Sequence, residues 1–215
     1  MYNVEIERYE SDLLSSNMYI ISEEGHAIVI DPYRNTNVIQ DRLIDKIILT
    51  HEHYDHISGV NTFRERVGAS VLCSYSCAEN IQDPRKSLAA YFDCLCELQT
   101  RIPMEAMPDI DKGYRCYADE SFKDQTEFVW NGHQFKLFEL PGHSQGSIGV
   151  LLDQQFFFSG DSFLEYEKTE LRLPGGSRKR WNTISQPKLK QMPVGTIIYP
   201  GHGREFILSL QNSNC

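Results

Sequence analysis

The order of apolar and polar positions divides the chain into short strands separated by turns, with helical spacing in between. Val4 to Tyr9 alternates, Asn17 to Ile21 is apolar, and His26 to Ile30 is an apolar run into Asp31-Pro32, so the chain opens with three predicted strands. Val38, Leu43 and Ile44 recur at helical spacing and predict a helix within Asn35 to Asp45. Lys46 to Thr50 reads as a short buried strand, Gly59 to Val67 as a helix, and Ala69 to Ser74 as another strand. The pattern then changes from about Tyr75 to Gln125. Within that insert, Ser87 to Leu98 predicts a helix with Leu88, Tyr91, Phe92, Leu95 and Leu98 on one side, and Ile102 to Asp111, with its prolines, reads as loop. Strands resume in two hairpins. Thr126 to Trp130 and Gln134 to Leu140 flank Asn131-Gly132; Ser147 to Leu152 and Gln155 to Ser159 flank Asp153-Gln154. A helical stretch from Arg178 to Gln191, interrupted at Pro187, and a last strand from Thr196 to Tyr199 complete the pattern. Two runs of strands and helices, each closing with a helix, predict an α/β layered sandwich: one domain over residues 1–215, with a helical and loop insert at about 75–125.

The chemistry gathers at the ends of these strands. Leu49-Thr50 runs directly into His51-Glu52-His53-Tyr54-Asp55-His56. Side chains repeat every second residue in extended chain, so His51 and His53 face the same way, while Asp55 and His56 open the next helix and can face a second ion. A mixed His and Asp set suits zinc, iron or manganese, against the plainer alternative of a surface His cluster. Three more strand ends each place one ligand-type residue beside glycine: Pro141-Gly142-His143, Gly160-Asp161 and Pro200-Gly201-His202. The resulting set is His51, His53, Asp55, His56, His143, Asp161 and His202, enough for two ions sharing one carboxylate.

Composition narrows the classes. The 215 residues are 40% hydrophobic and 24% charged, which is ordinary globular composition. No apolar run approaches the roughly 20 residues of a membrane span, and the N-terminus lacks a basic region followed by an apolar stretch, so a cytoplasmic protein without a membrane association is expected. A net charge of −9 argues against nucleic acid as a partner and leaves a small molecule. Cys73, Cys77, Cys94, Cys96, Cys116 and Cys215 are expected as free thiols, because the chain shows no export signal and is too large to need disulfide staples, and their spacings do not match paired zinc-binding cysteines. His26 and His133 are read as structural or exposed.

The combined motifs, from Ile30-Asp31-Pro32 to Pro200-Gly201-His202-Gly203, resemble the metallo-β-lactamase-fold hydrolases, specifically the glyoxalase II-like branch. The resemblance implies an αββα sandwich with a dinuclear centre at one edge of two sheets. By position, His51, His53 and His143 would hold the first ion, Asp55, His56 and His202 the second, and Asp161 would bridge them. Asp55 would also orient the attacking hydroxide. Asp31 matches the family's buried Asp, which supports the site without touching metal. Two divalent ions are implied, zinc foremost, with iron or manganese as alternatives; the implied reaction is attack of a metal-bound hydroxide on a small thioester or related ester bond.

The match has two departures. Only thirteen residues follow His202, against the helical C-terminal domain with which glyoxalase II binds glutathione, and the run after Asp161 is acidic where the branch carries a Gly-Arg turn. Leu173-Pro174-Gly175-Gly176 is retained. The insert, with Tyr91, Phe92, Met104, Met107, Tyr114 and Tyr117, either packs on itself or lines the site as a lid. Lys168 and Arg178 to Arg180 are a solvated face or an attraction for an anionic substrate. Competing activities on the same motifs are a lactonase and a persulfide dioxygenase-like oxidoreductase with one iron on His51, His143 and Asp161.

Overall fold

A computed structural model describes residues 4–100 and 109–209. Strands β1 (Glu5–Glu10), β2 (Asn17–Glu23), β3 (His26–Ile30), β4 (Leu43–Ile48), β5 (Ser70–Ser74) and β6 (Glu120–Phe122) form one sheet in that order, antiparallel across β1 to β3 and parallel from β3 to β6. The second sheet contains β7 (Gln125–Trp130), β8 (His133–Glu139), β9 (Ile148–Leu152), β10 (Phe156–Gly160), β11 (Ile197–Pro200) and β12 (Phe206–Ile207), ordered β12-β11-β10-β9-β8-β7. Its one parallel pair, among the described residues, is β10 with β11.

The apolar runs are explained by what covers them. Ile21, Ile28, Ile30, Ile48 and Leu72 share one cluster with Phe135, Leu137, Val150 and Phe158 of the other sheet. Their chain neighbours Ile20, Val29, Ile47 and Val71 belong to a second cluster, with helices α1 (Tyr54–Ile57), α2 (Val60–Val67), α3 (Tyr75–Asn80) and α4 (Phe92–Thr100). Phe157 and Ile198 join Trp181 and Leu189 in a third. Strands buried on both faces lose their alternation and become continuous apolar runs. This is the predicted αββα layering. Both predicted hairpins are present, with positive φ at Asn131, Gly132, Asp153 and Gln154, as primed turns require. Asp153 is held there by hydrogen bonds from Gln134 N–H (2.8 Å) and with His133 Nδ1 (2.6 Å).

Four local expectations change. The helix predicted within Asn35 to Asp45 is a 3-10 helix, Thr36–Ile39, and Leu43 and Ile44 begin β4, because pairing with His26 and Ala27 of β3 outweighs their helical spacing. In the insert, Tyr91 and Leu98 are exposed rather than on the buried side with Leu88 and Phe92. Strand β6 and helix α3, within the region of irregular pattern, were not legible as elements. Pro187 widens a turn rather than breaking the helix: α5 (Arg178–Arg180) continues through Trp181–Ser185 into α6 (Gln186–Leu189), and Gln186 N–H reaches back to Trp181 O. Such a wide turn absorbs the donor that proline lacks. Met104, Met107 and the loop predicted up to Pro108 lie outside the described residues. Among the described residues, five cysteines are free and no helix is long and apolar enough to cross a membrane.

Candidate metal centre

All seven predicted ligands converge at one edge of the two sheets. The chain leaves β4 through Leu49-Thr50 into His51 and His53, and α1 carries Asp55 and His56. His143 follows β8, Asp161 follows β10 and His202 follows β11. Ligand atoms of His51, His53 and His143 all lie within 4.8 Å of one another, and so do those of Asp55, His56 and His202. Asp161 stands between the two groups: its Oδ2 is 3.4 Å from His143 Nε2 and 3.4 Å from His202 Nε2. Its Oδ1 is 3.4 Å from His56 Nε2. Asp55 Oδ2 is 3.4 Å from His56 Nε2 and 3.5 Å from His202 Nε2. Donors about 2.0–2.1 Å from a tetrahedral zinc ion stand roughly 3.3 Å apart, so these spacings fit shared coordination.

The hydrogen bonds behind each imidazole set its orientation. Thr50 Oγ1 donates to Asp31 Oδ2 (2.5 Å), so His51 Nδ1–H donates to Thr50 Oγ1 (3.0 Å). His56 Nδ1–H donates to Asp31 Oδ2 (3.0 Å), His143 Nδ1–H to Glu170 O (2.9 Å), and His202 Nδ1–H to Leu14 O (3.0 Å). Each of these four rings thereby turns its Nε2 toward the centre, the usual outer support of metal-ligating histidine. His53 is reversed, with Nδ1 3.0 Å from His143 Nε2. His51 Nε2, His53 Nε2 and Asp161 Oδ1 are buried without a hydrogen-bond partner. Orphaned buried polar atoms of this kind are rare unless a ligand completes them, and here the donor set fits metal.

The charges divide the site. Burial, then the neighbouring imidazoles, lower His51 well below its ordinary value and bring His53 to about 3, so both are neutral donors. Burial opposes charge on His56 and His202 too, but the carboxylates outweigh it: Asp55, Asp161 and Asp31 bring His56 to about 9, and Asp161 and Asp55 raise His202 well above the usual range. Against its own burial, Asp161 is held far below the usual carboxylate range by His202, His56 and His143, and Asp55 is lowered by His56 and His202. The carboxylate side of the site thus draws cations.

Asp31 joins the site as a brace. Besides Thr50 Oγ1 and His56, it accepts Thr50 N–H (2.7 Å), and with His51 and His56 it forms a third close group of potential ligands. Gly201 is required by close approach, because a Cβ there would collide with Asp161 Oδ1. Glu52 was not among the predicted site residues. It alternates away from His51 and His53, is 1% exposed, and accepts hydrogen bonds from Asn80 Nδ2 (2.9 Å), Ser144 Oγ (2.7 Å) and Gly146 N–H (3.1 Å). It therefore ties the first ligand run to the His143 loop and to α3. Its only sequence signal is its place within the His-rich run. His26, paired with Asp45 (3.0 Å), and His133, beside Asp153 and Glu23, are structural and remote from the centre.

A cavity of about 360 Å³ opens over the ligands His53, Asp55, His143, Asp161 and His202. Leu88, Phe92 and Leu95 of the insert line one side, and Glu167, Lys168 and Glu170 line another. Arg178 faces a neighbouring cleft instead.

The sequence model of the metallo-beta-lactamase superfamily matches residues 11–202, which spans every ligand. The chain belongs to that superfamily. Superfamily members are usually metal-dependent hydrolases, and the relatives agree. A probable metallo-hydrolase of Streptococcus pyogenes is 26% identical over 89% of this chain and 80% of its own length. A hydroxyacylglutathione hydrolase of Serratia proteamaculans is 28% identical over 87% of this chain, which spans 61% of that relative's length. Among solved structures, the BLEG-1 B3 metallo-beta-lactamase (TM-score 0.74, 21% identity) covers 94% of both chains. TTHA1623 in a di-iron-bound form (TM-score 0.72, 22% identity) matches over 95% of this chain and 96% of its own. Both show the metallo-beta-lactamase fold in this superfamily member.

Proposed function

We propose that this superfamily member is a dinuclear metal-dependent hydrolase of a small thioester or related ester, in the manner of the glyoxalase II-like branch. The observation that carries the reading is Asp161 Oδ2, 3.4 Å from a histidine of each group, where a bridging carboxylate belongs. His51, His53 and His143 would hold one ion, Asp55, His56 and His202 the other, and Asp161 both. Divalent ions held there, zinc foremost, would supply a water of lowered pKa and polarisation of the carbonyl. The chain's own residues do the rest. Asp55 would accept a hydrogen bond from the attacking water and set its direction. Asp31 acts through others, holding the His56 ring and the Thr50 backbone in place.

Metal analysis followed by a screen of thioesters, lactones and phosphodiesters on one preparation tests this. Two ions per chain and thioester hydrolysis are expected, with loss of both turnover and bound metal in His53→Ala and Asp161→Ala. Full activity of metal-stripped protein overturns it. His51, His143 and Asp161 would also suit a single iron, so one iron per chain with oxygen uptake on a persulfide substrate selects the oxidoreductase instead.

A further inference from the structure

The geometry points to a substrate whose acyl part is a medium-length aliphatic chain, seated on a wall that the insert builds beside the ligands. This rests on the hydrolase reading above.

The insert is anchored on the ligand run itself. Tyr54, between His53 and Asp55, donates its N–H to Ser87 O (2.9 Å), and its ring packs edge-on against Phe92 (5.2 Å) and Tyr114 (5.4 Å). Asp111 N–H donates to Tyr54 Oη (3.1 Å), and Tyr114 Oη donates to Ile57 O (2.8 Å). Ser87, Phe92, Asp111 and Tyr114 of the insert thus hold to α1, and the wall stands beside Asp55 and His56.

The wall is apolar. Phe92 and Leu95, three apart on α4, share one helical face, and Leu88 lies just before the helix. Among the described residues, these three are the insert's whole contribution to the cavity. Leu88 turns inward from a left-handed backbone (φ 66°), a conformation uncommon for leucine that persists where surrounding structure enforces it. The rest of the lining is mixed: Leu14, Leu164 and Leu173 stand among Glu167, exposed Lys168, and Glu170 paired with Arg172 (2.7 Å). A substrate carbonyl over the ligands then has the insert's wholly apolar surface on one side and, on another, a mixed surface bearing exposed Glu167 and Lys168. The acyl chain takes the first, and the leaving group takes the second, through which it must depart. Water oxygen bonds to the acyl carbon and the carbon–sulfur bond breaks. The thiol leaves with one proton, and the acid, at neutral pH, releases the other to solvent.

Calorimetric binding of acetate, butyrate, hexanoate and octanoate to the metal-loaded protein tests the wall without turnover, alongside kcat/KM for the matching acyl thioesters of one thiol. Each methylene up to hexanoate should raise affinity about fourfold, the equivalent of one buried methylene. Leu95→Trp, which fills the wall, should abolish the gain while acetate binding is unchanged, and Leu95→Ala should keep short-chain binding and move the optimum to longer chains. Affinity independent of chain length, or an unaltered series in Leu95→Trp, overturns the inference. A chain-length series in binding without hydrolysis of any thioester keeps the wall and overturns the hydrolase reading; hydrolysis with a flat series does the reverse.

Discussion

Glu52 offers the sharpest test of how the centre is held together. Its carboxylate, 1% exposed, accepts from Asn80 Nδ2 of α3 and from Ser144 Oγ and Gly146 N–H of the His143 loop, two stretches far apart in the chain. In Glu52→Ala, Ser144 Oγ keeps Ser147 Oγ as a partner at 2.8 Å, but Gly146 N–H and an Asn80 N–H lose theirs in a buried site. Two orphaned donors at about 1–3 kcal/mol each give a destabilisation of about 4 kcal/mol. In a chain of this size, where about 1 kcal/mol moves Tm by about 2–4 °C, that corresponds to a fall of roughly 8–16 °C. Glu52→Gln keeps an acceptor for Ser144 and Gly146, and Asn80 can turn its amide to accept, so its cost falls to about 1–2 kcal/mol. Thermal unfolding followed by circular dichroism measures both variants, and metal content reports whether the His143 loop has moved. An Ala variant within about 1 kcal/mol of wild type, or equal losses in both variants, would refute the bracing role.

Four further outcomes follow from particular contacts. Gly201→Ala should lower bound metal without unfolding the chain, because the new Cβ meets Asp161 Oδ1; unchanged metal content counts against the bridging position. Asp31→Ala frees His56 Nδ1 and two donors of Thr50, and should lose turnover more than metal-free stability loses; calorimetry and kinetics on one preparation compare them. Burial opposes charge on His133, but its bonds to Asp153 and Glu23 raise its pKa above the ordinary value. The stability it adds is complete below about pH 6.5 and is lost as pH rises through the raised value, so urea midpoints of wild type and His133→Gln should converge toward alkaline pH. A thiol reagent should label exposed Cys94 quickly and the buried Cys73, Cys77, Cys96 and Cys116 only on unfolding, as timed mass spectrometry will show.

Much of the centre is legible in local sequence. His51, His53, Asp55 and His56 sit within six residues, and His143, Asp161 and His202 each follow a strand beside glycine, so the pattern that marks the strands also marks the ligands. The helix expected within Asn35 to Asp45 was misread for a related reason. Spacing at Val38, Leu43 and Ile44 is a local signal, whereas β4 pairs with a strand some twenty residues earlier. The apolar side of the insert was half right. Leu88, Phe92 and Leu95 face the cavity, while Tyr91 and Leu98 are exposed.

The sequence by itself determined the layered α/β pattern, both hairpins and all seven residues brought to the centre, because strand period, turn chemistry and ligand type are properties of near neighbours in the chain. Only the tertiary structure decided which imidazole nitrogen faces inward, that Asp161 stands between the two groups, that Glu52 braces the His143 loop, and that the insert is fastened to Tyr54. These depend on partners far apart in sequence. Glu52 and Ser144 are separated by 92 positions, His202 and Leu14 by 188. A hydrogen bond over such a separation exists only once packing has fixed both ends, and no local pattern encodes its geometry.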